Sequence, residues 1–327
     1  MTLATSVVRP FSGLDTGWSA CSMKVGFVGL GQMGGNMALR LLERGHDLIV
    51  TDINRDSAAP QLSEGAEWAA TPAQLASKAD VILSSLPGPA QVEAVALGAD
   101  GILEGISEGK VYVDVSTSSP LVIRKVAAAF AEKGASVIDA PVSGGSSHSR
   151  AGTLVFFVGG PAEILEQARP VLADLSKDII HIGPIGGGSV AKIANNAIGL
   201  STLSLLSEVI SLGVKAGIDH NTMHKVLREG AYGQGHYLNL IVPQVAFKHR
   251  YEPANFALDL GRKDVALATS LARELDVPLP MINLVEQGAV EMVGRGHGKK
   301  DSAILFSLQE LRAGVSIHDD DAQSMEL

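Results

Sequence analysis

Short apolar runs alternate through the first half of the chain with segments whose apolar positions recur every three or four residues. The runs at Lys24–Gly29, Asp47–Asp52, Val81–Leu86, Val111–Val115, Ser136–Ala140, Leu154–Val158 and Ile179–Ile182 read as strands. Gly35–Arg44, a short stretch from Pro72, the segment from Ser119-Pro120 through Lys133, and Pro161–Asp174 read as helices between them. Thr71-Pro72 and Ser119-Pro120 each offer a capping hydroxyl followed by proline at the first helical position. Strands that alternate with helices predict an α/β class, with a Rossmann-type doubly wound sheet. Ligands of such sheets bind outside the carboxyl ends of the strands. The loops at Pro87, Thr117 and Ser143 fall at that edge.

The pattern changes at Gly186-Gly-Gly-Ser-Val-Ala-Lys-Ile-Ala-Asn-Asn196. Three glycines open a run that stays apolar almost to Gly217, with Glu208 the only formal charge from Ala197 to Val214. A helix apolar on nearly all sides is expected to be buried, and Gly217 suits the position just past its end. Lys192 and Asn196 stand four apart and share one helix face. Beyond Gly217 only helical patterns remain: Asp219 to Gly230, about Phe256 to Leu275, Pro280 to Val293, and Ser302 to Leu311. Pro243, Pro253, Pro278, Gly294 and Gly296 read as loop signals between them. The expected organisation is a doubly wound domain over 23–185, a long connecting helix over 186–217, and an all-helical domain over 218–317 serving substrate binding and oligomerisation. An acidic tail from His318 is expected to be loose, and 1–22 to be an extension without structure or an over-long start before Met23.

Composition narrows the function. The 327 residues carry a net charge of −9, which argues against nucleic acid as a partner. The hydrophobic share of 46% and charged share of 19% suit a soluble globular protein. The long apolar segment is too rich in Ser and Gly, and too near charges, to read as membrane-spanning. Residues 1–22 show no continuous apolar stretch of the kind a signal peptide needs. Arg9 alone is too little arginine for a transit peptide. Cys21 is the single cysteine, which excludes an internal disulfide and any multi-cysteine metal site. No metal is expected, and a reducing, cytoplasmic setting fits.

The chemistry begins at Gly29-Leu30-Gly31-Gln32-Met33-Gly34, between a strand and a helix. The first glycine allows a tight turn, the second lets backbone approach a pyrophosphate, and the third lets helix pack on strand. The helix start then offers free N–H groups and a positive dipole end to the phosphates. Asp52 closes the next strand eighteen residues after Gly34. A carboxylate there accepts the ribose hydroxyls and repels a 2′-phosphate, favouring NAD, while Arg55 nearby leaves NADP possible.

Four motifs, GLGQMGGNMA from Gly29, DAPVSGG from Asp139, GGGSVAKIANN from Gly186 and FALDLGRKD from Phe256, occur in this order. With them the chain resembles the β-hydroxyacid dehydrogenase family over roughly Lys24 to Leu311. That family includes 3-hydroxyisobutyrate dehydrogenase and tartronate semialdehyde reductase, and is related to 6-phosphogluconate dehydrogenase. The resemblance implies that Gly29, Leu30, Gly31, Gln32, Met33 and Gly34 hold the NAD pyrophosphate. It implies that Leu86 and Pro87 line the adenosine side and that Thr117 sits near the nicotinamide. Ser143, Gly144 and Gly145 would bind the substrate carboxylate. Lys192 would be catalytic, Asn196 would orient substrate, and Lys263 would approach cofactor and substrate from the second domain, with the active site in the cleft between the domains.

The residue types agree with those roles. A Ser-Gly-Gly turn presents a hydroxyl and successive N–H groups to an anion. A lysine normally titrates near 10.4, too high for a base at neutral pH. Burial and a second ammonium, here Lys263, are expected to bring Lys192 down. The expected activity is oxidation of a small 3-hydroxy carboxylic acid by NAD, with 3-hydroxyisobutyrate the leading substrate. A tartronate semialdehyde reductase or a sugar-acid dehydrogenase is the alternative within the class. A dinucleotide-binding interaction protein without chemistry would be expected to lack Lys192. Ser146-Ser-His-Ser-Arg-Ala151 departs from the smaller residues usual in relatives. His148 and Arg150 there read as loop surface or as contacts to an anionic substrate tail, and Tyr232 and His236 as substrate-side candidates. The apolar long helix and helical domain need cover, so a homodimer or homotetramer is expected.

Overall fold

The computed structural model describes residues 23–319 and residue 322. The expected N-terminal extension lies outside the described residues. The chain divides into two compact units, Met1–Asn196 and Ala197–Leu327.

The first unit is built on a nine-stranded sheet in the order β3-β2-β1-β4-β5-β6-β8-β7, with β9 beside β8. Its strands are β1 (Lys24–Val28), β2 (Asp47–Thr51), β3 (Glu67–Trp68), β4 (Val81–Ser84), β5 (Val111–Asp114), β6 (Ser136–Asp139), β7 (Val142–Ser143), β8 (Leu154–Gly159) and β9 (Ser176–Gly183). The helices are α1 (Gln32–Glu43), α2 (Ala59–Ser63), α3 (Pro72–Lys78), α4 (Pro89–Leu97), α5 (Ile102–Gly105), α6 (Pro120–Ala131), α7 (Gly145–Ala151) and α8 (Ala162–Ala173). Strands β1 to β6 run parallel, whereas β8 is antiparallel to β6 and to β7. The chain order reverses at β1, between β2 and β4, so the ligand crevice of this sheet type opens beyond the carboxyl ends of β1 and β4.

The parallel strands are nearly continuous apolar runs because both faces are covered. One face buries Val25, Phe27, Met37, Leu41, Leu165 and Val171. The other buries Ile49, Leu75, Ile82, Tyr112, Ile123 and Phe130, with the Tyr112 and Phe130 rings stacked at 5.3 Å. Both expected caps are made: Thr71 Oγ1 accepts from Gln74 N at 3.1 Å, and Ser119 Oγ from Leu121 N at 3.3 Å.

The long helix α9 runs from Gly187 to Lys215. It ends as the glycine suggests: Gly217 has φ +92° and the Ile218 N–H bonds back to Gly213 O at 2.9 Å. Burial on all sides is not found. Ile198, Leu200 and Leu203 are exposed at 65%, 70% and 65%. Periodicity reports that a face needs cover, not that the same chain supplies it. By length and composition α9 would cross a bilayer, yet its first turn is hydrogen-bonded to the sheet. Glu208, the only charge between Ala197 and Val214, is buried and accepts from Met281 N at 2.9 Å and Ile282 N at 3.2 Å.

Those two N–H groups open α12 (Pro280–Gly294). The second unit also holds α10 (His220–Glu229), α11 (Leu258–Glu274), α13 (Leu305–Ala313) and a π-type helix at Tyr237–Ala246. That last helix was not expected, because Pro243 within it reads as a loop signal. Proline lacks an N–H donor, and the wider π ladder accommodates it. Tyr251, Leu258, Met292, Ile304 and Leu308 form the main core of the unit.

Two further expectations need correction. Ser146–Ala151 is not a loop but the body of α7. The tail is tied down where it begins: Asp319 N donates to Phe247 O at 2.8 Å, and Lys248 Nζ pairs with Asp319 Oδ2 at 2.7 Å, while 320, 321 and 323–327 lie outside the described residues.

Candidate active site

The glycine turn after β1 has the geometry its sequence requires. Gly29 adopts φ +89°, and a Cβ there would strike the Ser85 carbonyl at the end of β4. A Cβ at Gly34 would collide with the Gly29 carbonyl, so only glycine lets α1 lie so close. At Gly31 a Cβ would meet nothing within 4 Å. The turn is therefore open on the side where a pyrophosphate would lie. No side chain caps the start of α1, which leaves its first N–H groups and its dipole for an anion. Gln32 and Gly31 are exposed, Met33 is half-buried, and Leu30 is buried. These residues fit a dinucleotide. The helix starts at Gln32, not Gly35.

Asp52 stands at the end of β2, half-buried. Its Oδ2 accepts from Leu30 N at 2.6 Å and its Oδ1 from Asn54 N at 2.8 Å. The carboxylate is thus fixed beside the glycine turn. Arg55 is exposed, with its guanidinium 5.7 Å from the Trp68 ring centroid. At the end of β4, the Leu86 N–H donates to Ser116 Oγ at 2.9 Å, and Ser116 Oγ donates to Asp114 Oδ1 at 2.6 Å. Ser84 Oγ donates to the same oxygen at 2.8 Å and bonds Tyr112 Oη at 2.7 Å. This chain fixes the loops bearing Leu86, Pro87 and Thr117 relative to each other, with Pro87 and Thr117 left exposed. Asp114 is fully buried, and its second oxygen has no partner among the described residues. Burial pushes its carboxyl up to about 6, with Asp139 adding to the rise.

Asp139 is the residue that sequence reading passed over. It lies within the DAPVSGG motif but received no role. It is fully buried at the end of β6 and takes three hydrogen bonds from the start of the lysine helix. Gly186 N donates to Oδ1 at 2.7 Å; Ser189 N and Ser189 Oγ donate to Oδ2 at 2.6 and 2.8 Å. The carboxylate satisfies donors that a helix start otherwise leaves unpaired, and its charge suits the positive end of the dipole. The glycines make room: a Cβ at Gly188 would strike the Phe157 carbonyl, and one at Gly159 would strike Asp139 itself. An acid closing an apolar strand, as in Ser-Val-Ile-Asp139 and Val-Tyr-Val-Asp114, was the available signal. The two acids sit directly opposite in the β5–β6 register.

Asp139 therefore joins two parts of the expected site. Four residues on from it, Ser143 ends β7, which pairs with β8. Gly144 and Gly145 follow with φ +139° and +76°, values open to glycine, and turn the chain into α7. Ser143 is half-buried and both glycines are exposed. On the other side, Lys192 is one turn beyond Gly188 in α9. Lys192 is half-buried and its amine is pushed below the ordinary lysine value by burial. Among the described residues no carboxylate pairs with it. Asn196, one turn on, is exposed.

Other candidates are accounted for differently. Lys263, in the second unit, is exposed and lies 3.0 Å from Asp264; burial is what lowers Lys192. Arg150 is paired with Glu43 of α1 by two hydrogen bonds, and His148 Nδ1 bonds Thr153 Oγ1 at 2.9 Å. Both positions are thereby used within the fold. Tyr232 and His236 are exposed, and the His236 ring meets Tyr237 edge-on at 5.8 Å.

Comparison with known proteins matches this geometry. Residues 24–183 fit the model for the NAD-binding domain of 6-phosphogluconate dehydrogenase, and residues 186–308 fit the NAD-binding model of NADP-dependent 3-hydroxyisobutyrate dehydrogenase. The chain is 38% identical over 296 residues to 3-hydroxyisobutyrate dehydrogenase of Pseudomonas aeruginosa, covering 89% of this chain and 98% of that one. It is 35% identical to 2-(hydroxymethyl)glutarate dehydrogenase of Eubacterium barkeri, covering 90% and 98%. It is 33% identical to 3-sulfolactaldehyde reductase of Escherichia coli, covering 89% and 97%. Among solved structures, 3-hydroxyisobutyrate dehydrogenase of Mycobacterium tuberculosis with L-serine superposes with a TM-score of 0.60 at 25% identity, covering 88% and 99%. Matched extent, identity and fold agree: the chain belongs to the β-hydroxyacid dehydrogenase family of NAD(P)-dependent oxidoreductases that act on CH–OH groups.

Proposed function

We propose that this chain oxidises the alcohol of a small 3-hydroxy carboxylic acid, with Lys192 as the general base and NAD as the preferred cofactor. The observation that carries the reading is Asp139. One buried carboxylate anchors both the strand leading to the Ser143–Gly145 turn and the first turn of the helix bearing Lys192. NAD supplies the hydride acceptor. Ser143 Oγ and the N–H groups of the following glycines hold the substrate carboxylate. Lys192 Nζ, held partly out of water, takes the hydroxyl proton as the carbonyl forms. In the reverse direction the ammonium donates that proton and steadies the developing alkoxide. Asn196, on the same face of α9, orients the substrate. Gly29 to Gly34 hold the pyrophosphate, Leu86 and Pro87 the adenosine side, and Thr117 the nicotinamide side.

3-Hydroxyisobutyrate is the leading substrate, supported by the relatives from Pseudomonas aeruginosa and Mycobacterium tuberculosis. A tartronate semialdehyde reductase or sugar-acid dehydrogenase is the alternative. A panel of hydroxy acids and aldehyde acids with NAD and with NADP, followed by reduced-cofactor absorbance, tests the reading. Turnover of 3-hydroxyisobutyrate with NAD above all others supports it; a preference for tartronate semialdehyde or a sugar acid replaces the substrate. No turnover with any acid removes the enzymatic reading.

The functional form is a homodimer or homotetramer, without nucleic acid or membrane, in the cytoplasm. Exposed Ile198, Leu200 and Leu203 on α9, with Leu260, Leu267 and Leu284 on α11 and α12, support a second copy as their cover. Sedimentation at the mass of a single 34.0 kDa chain would count against it.

A further inference from the structure

We propose that His249, Glu310 and His318, in the helical unit and apart from the dehydrogenase machinery, bind one divalent transition-metal ion of the zinc class. No expectation of a metal came from the sequence, because its one cysteine offers no cluster and these three residues are scattered along the chain. The fold brings them together. His249 Nε2 lies 3.1 Å from Glu310 Oε2, and His318 Nδ1 lies 2.9 Å from Glu310 Oε1. One ligand atom from each residue can be chosen so that all lie within 4.8 Å of one another. A tetrahedral ion with bonds of about 2.0–2.1 Å places its ligand atoms roughly 3.3 Å apart. The two separations, each to a different oxygen of Glu310, are within a few tenths of an ångström of that edge length, and the set closes on one oxygen by a small turn of the carboxylate. Two imidazoles with a carboxylate make a donor set that suits zinc, and the softer thiolate is not required.

The surroundings are those of a built site. The side chains of His249 and Glu310 are each only 7% exposed, while that of His318 is 34% exposed. The open side gives onto a pocket that Leu311, Gly314 and Ser316 also line, where water can complete the coordination. Glu310 is held in place by the Ile317 N–H, which donates to Oε1 at 2.7 Å. His249 takes φ +50°, left-handed backbone that few side-chain-bearing residues adopt. Of the two cations that flank His249 in sequence, Lys248 and Arg250, the first pairs with Asp319 at 2.7 Å. With no ion bound, both rings direct an N–H at the shared carboxylate. Binding moves each of those protons to the far ring nitrogen, so the rings ligate as neutral imidazoles and the ion takes the place of two hydrogen bonds. The ion then ties the segment after α13 to the turn that follows the π-type helix.

The test uses the untagged full chain, stripped by chelator and titrated with Zn2+ and, separately, with Co2+. The expected result is one ion per chain, an intense visible Co2+ spectrum of four-coordinate type, and a rise in melting temperature on adding Zn2+. His318→Ala and Glu310→Gln should each weaken binding by about tenfold or more, and abolish the Co2+ band. His318 is the preferred target because it is the most exposed of the three. His220→Ala with His224→Ala removes an exposed pair four apart on α10 and should leave affinity and spectrum unchanged. No binding by the parent chain, an octahedral Co2+ spectrum, or unchanged affinity in His318→Ala would each overturn the proposal and leave the cluster as a hydrogen-bonded tether.

Discussion

Asp139→Asn isolates the tie between the sheet and the lysine helix. The carboxylate is fully buried and serves Gly186 N, Ser189 N and Ser189 Oγ at 2.7, 2.6 and 2.8 Å. Asparagine fits the same space. With its oxygen turned toward Ser189 it keeps two of the three bonds, and its amide NH2 then faces the Gly186 N–H. One buried donor is left unpaired, at a cost of about 1–3 kcal/mol. Loss of the negative charge at the helix start adds roughly 0.3–1 kcal/mol. Together these give about 1–4 kcal/mol, a sizeable part of the ~5–15 kcal/mol that holds a domain folded. The first turn of α9 should loosen, and Lys192 with it. The glycine turn proposed for the cofactor rests on β1 and α1 and should not change. Urea denaturation should show the stability loss. Steady-state kinetics should show kcat falling about tenfold or more, while NADH affinity, followed by fluorescence titration, stays within about twofold. Asp139→Ala, which orphans all three donors, should be worse on both counts. If Asp139→Asn keeps full kcat and stability within about 0.5 kcal/mol, Asp139 does not anchor the helix and the argument fails.

Asp114→Asn should change how stability depends on pH. The folded carboxyl holds its proton up to about pH 6, whereas the unfolded one releases it near 3.8. The unfolded chain therefore binds fewer protons between those values, and stability falls as pH rises through that window and stays low above it. The full effect is about 3 kcal/mol, an upper bound that the asparagine variant should lack; parallel profiles in urea titrations at several pH values would refute it. Asp52→Ser removes the carboxylate that repels a 2′-phosphate and should raise the NADP-to-NAD ratio of kcat/KM by about tenfold, with Arg55 free to take the phosphate. An unchanged ratio would show that Asp52 does not set cofactor choice.

The parts of the fold that were legible in the sequence are those where one residue type satisfies a strict local constraint. Gly29 needs positive φ and Gly34 cannot carry a Cβ, so the spacing of the turn carries its own explanation. Thr71-Pro72, Ser119-Pro120 and Gly217 mark helix ends through chemistry that acts within a few residues. The unexpected parts depend on distant contacts. Strand direction is not written in strand composition, so the antiparallel pairing of β7 and β8 was invisible. Helix α7 is mostly polar and has no apolar period; Asn36 Nδ2 donates to Ser146 Oγ at 3.0 Å and Arg150 pairs with Glu43, which fastens it to α1. The apolar run of α9 predicted burial, and much of its surface is exposed instead. Within the site, Lys192 and the Ser-Gly-Gly turn stood out through their motifs. Asp139 and Asp114 did not, because a strand-end acid looks solvated until its buried partners are known.

The central claim is that the amine at 192, lowered by burial, carries the proton in the reaction. Lys192→Ala, assayed with 3-hydroxyisobutyrate and NAD across pH and paired with NADH titration, tests it most directly. The account predicts that the parent enzyme's kcat/KM for oxidation rises with pH through an ionisation below the ordinary lysine value. In the variant that rise should vanish, and kcat should fall by about 100- to 10,000-fold with NADH affinity within about twofold of the parent. Substantial turnover in the variant with the same pH profile would contradict the account.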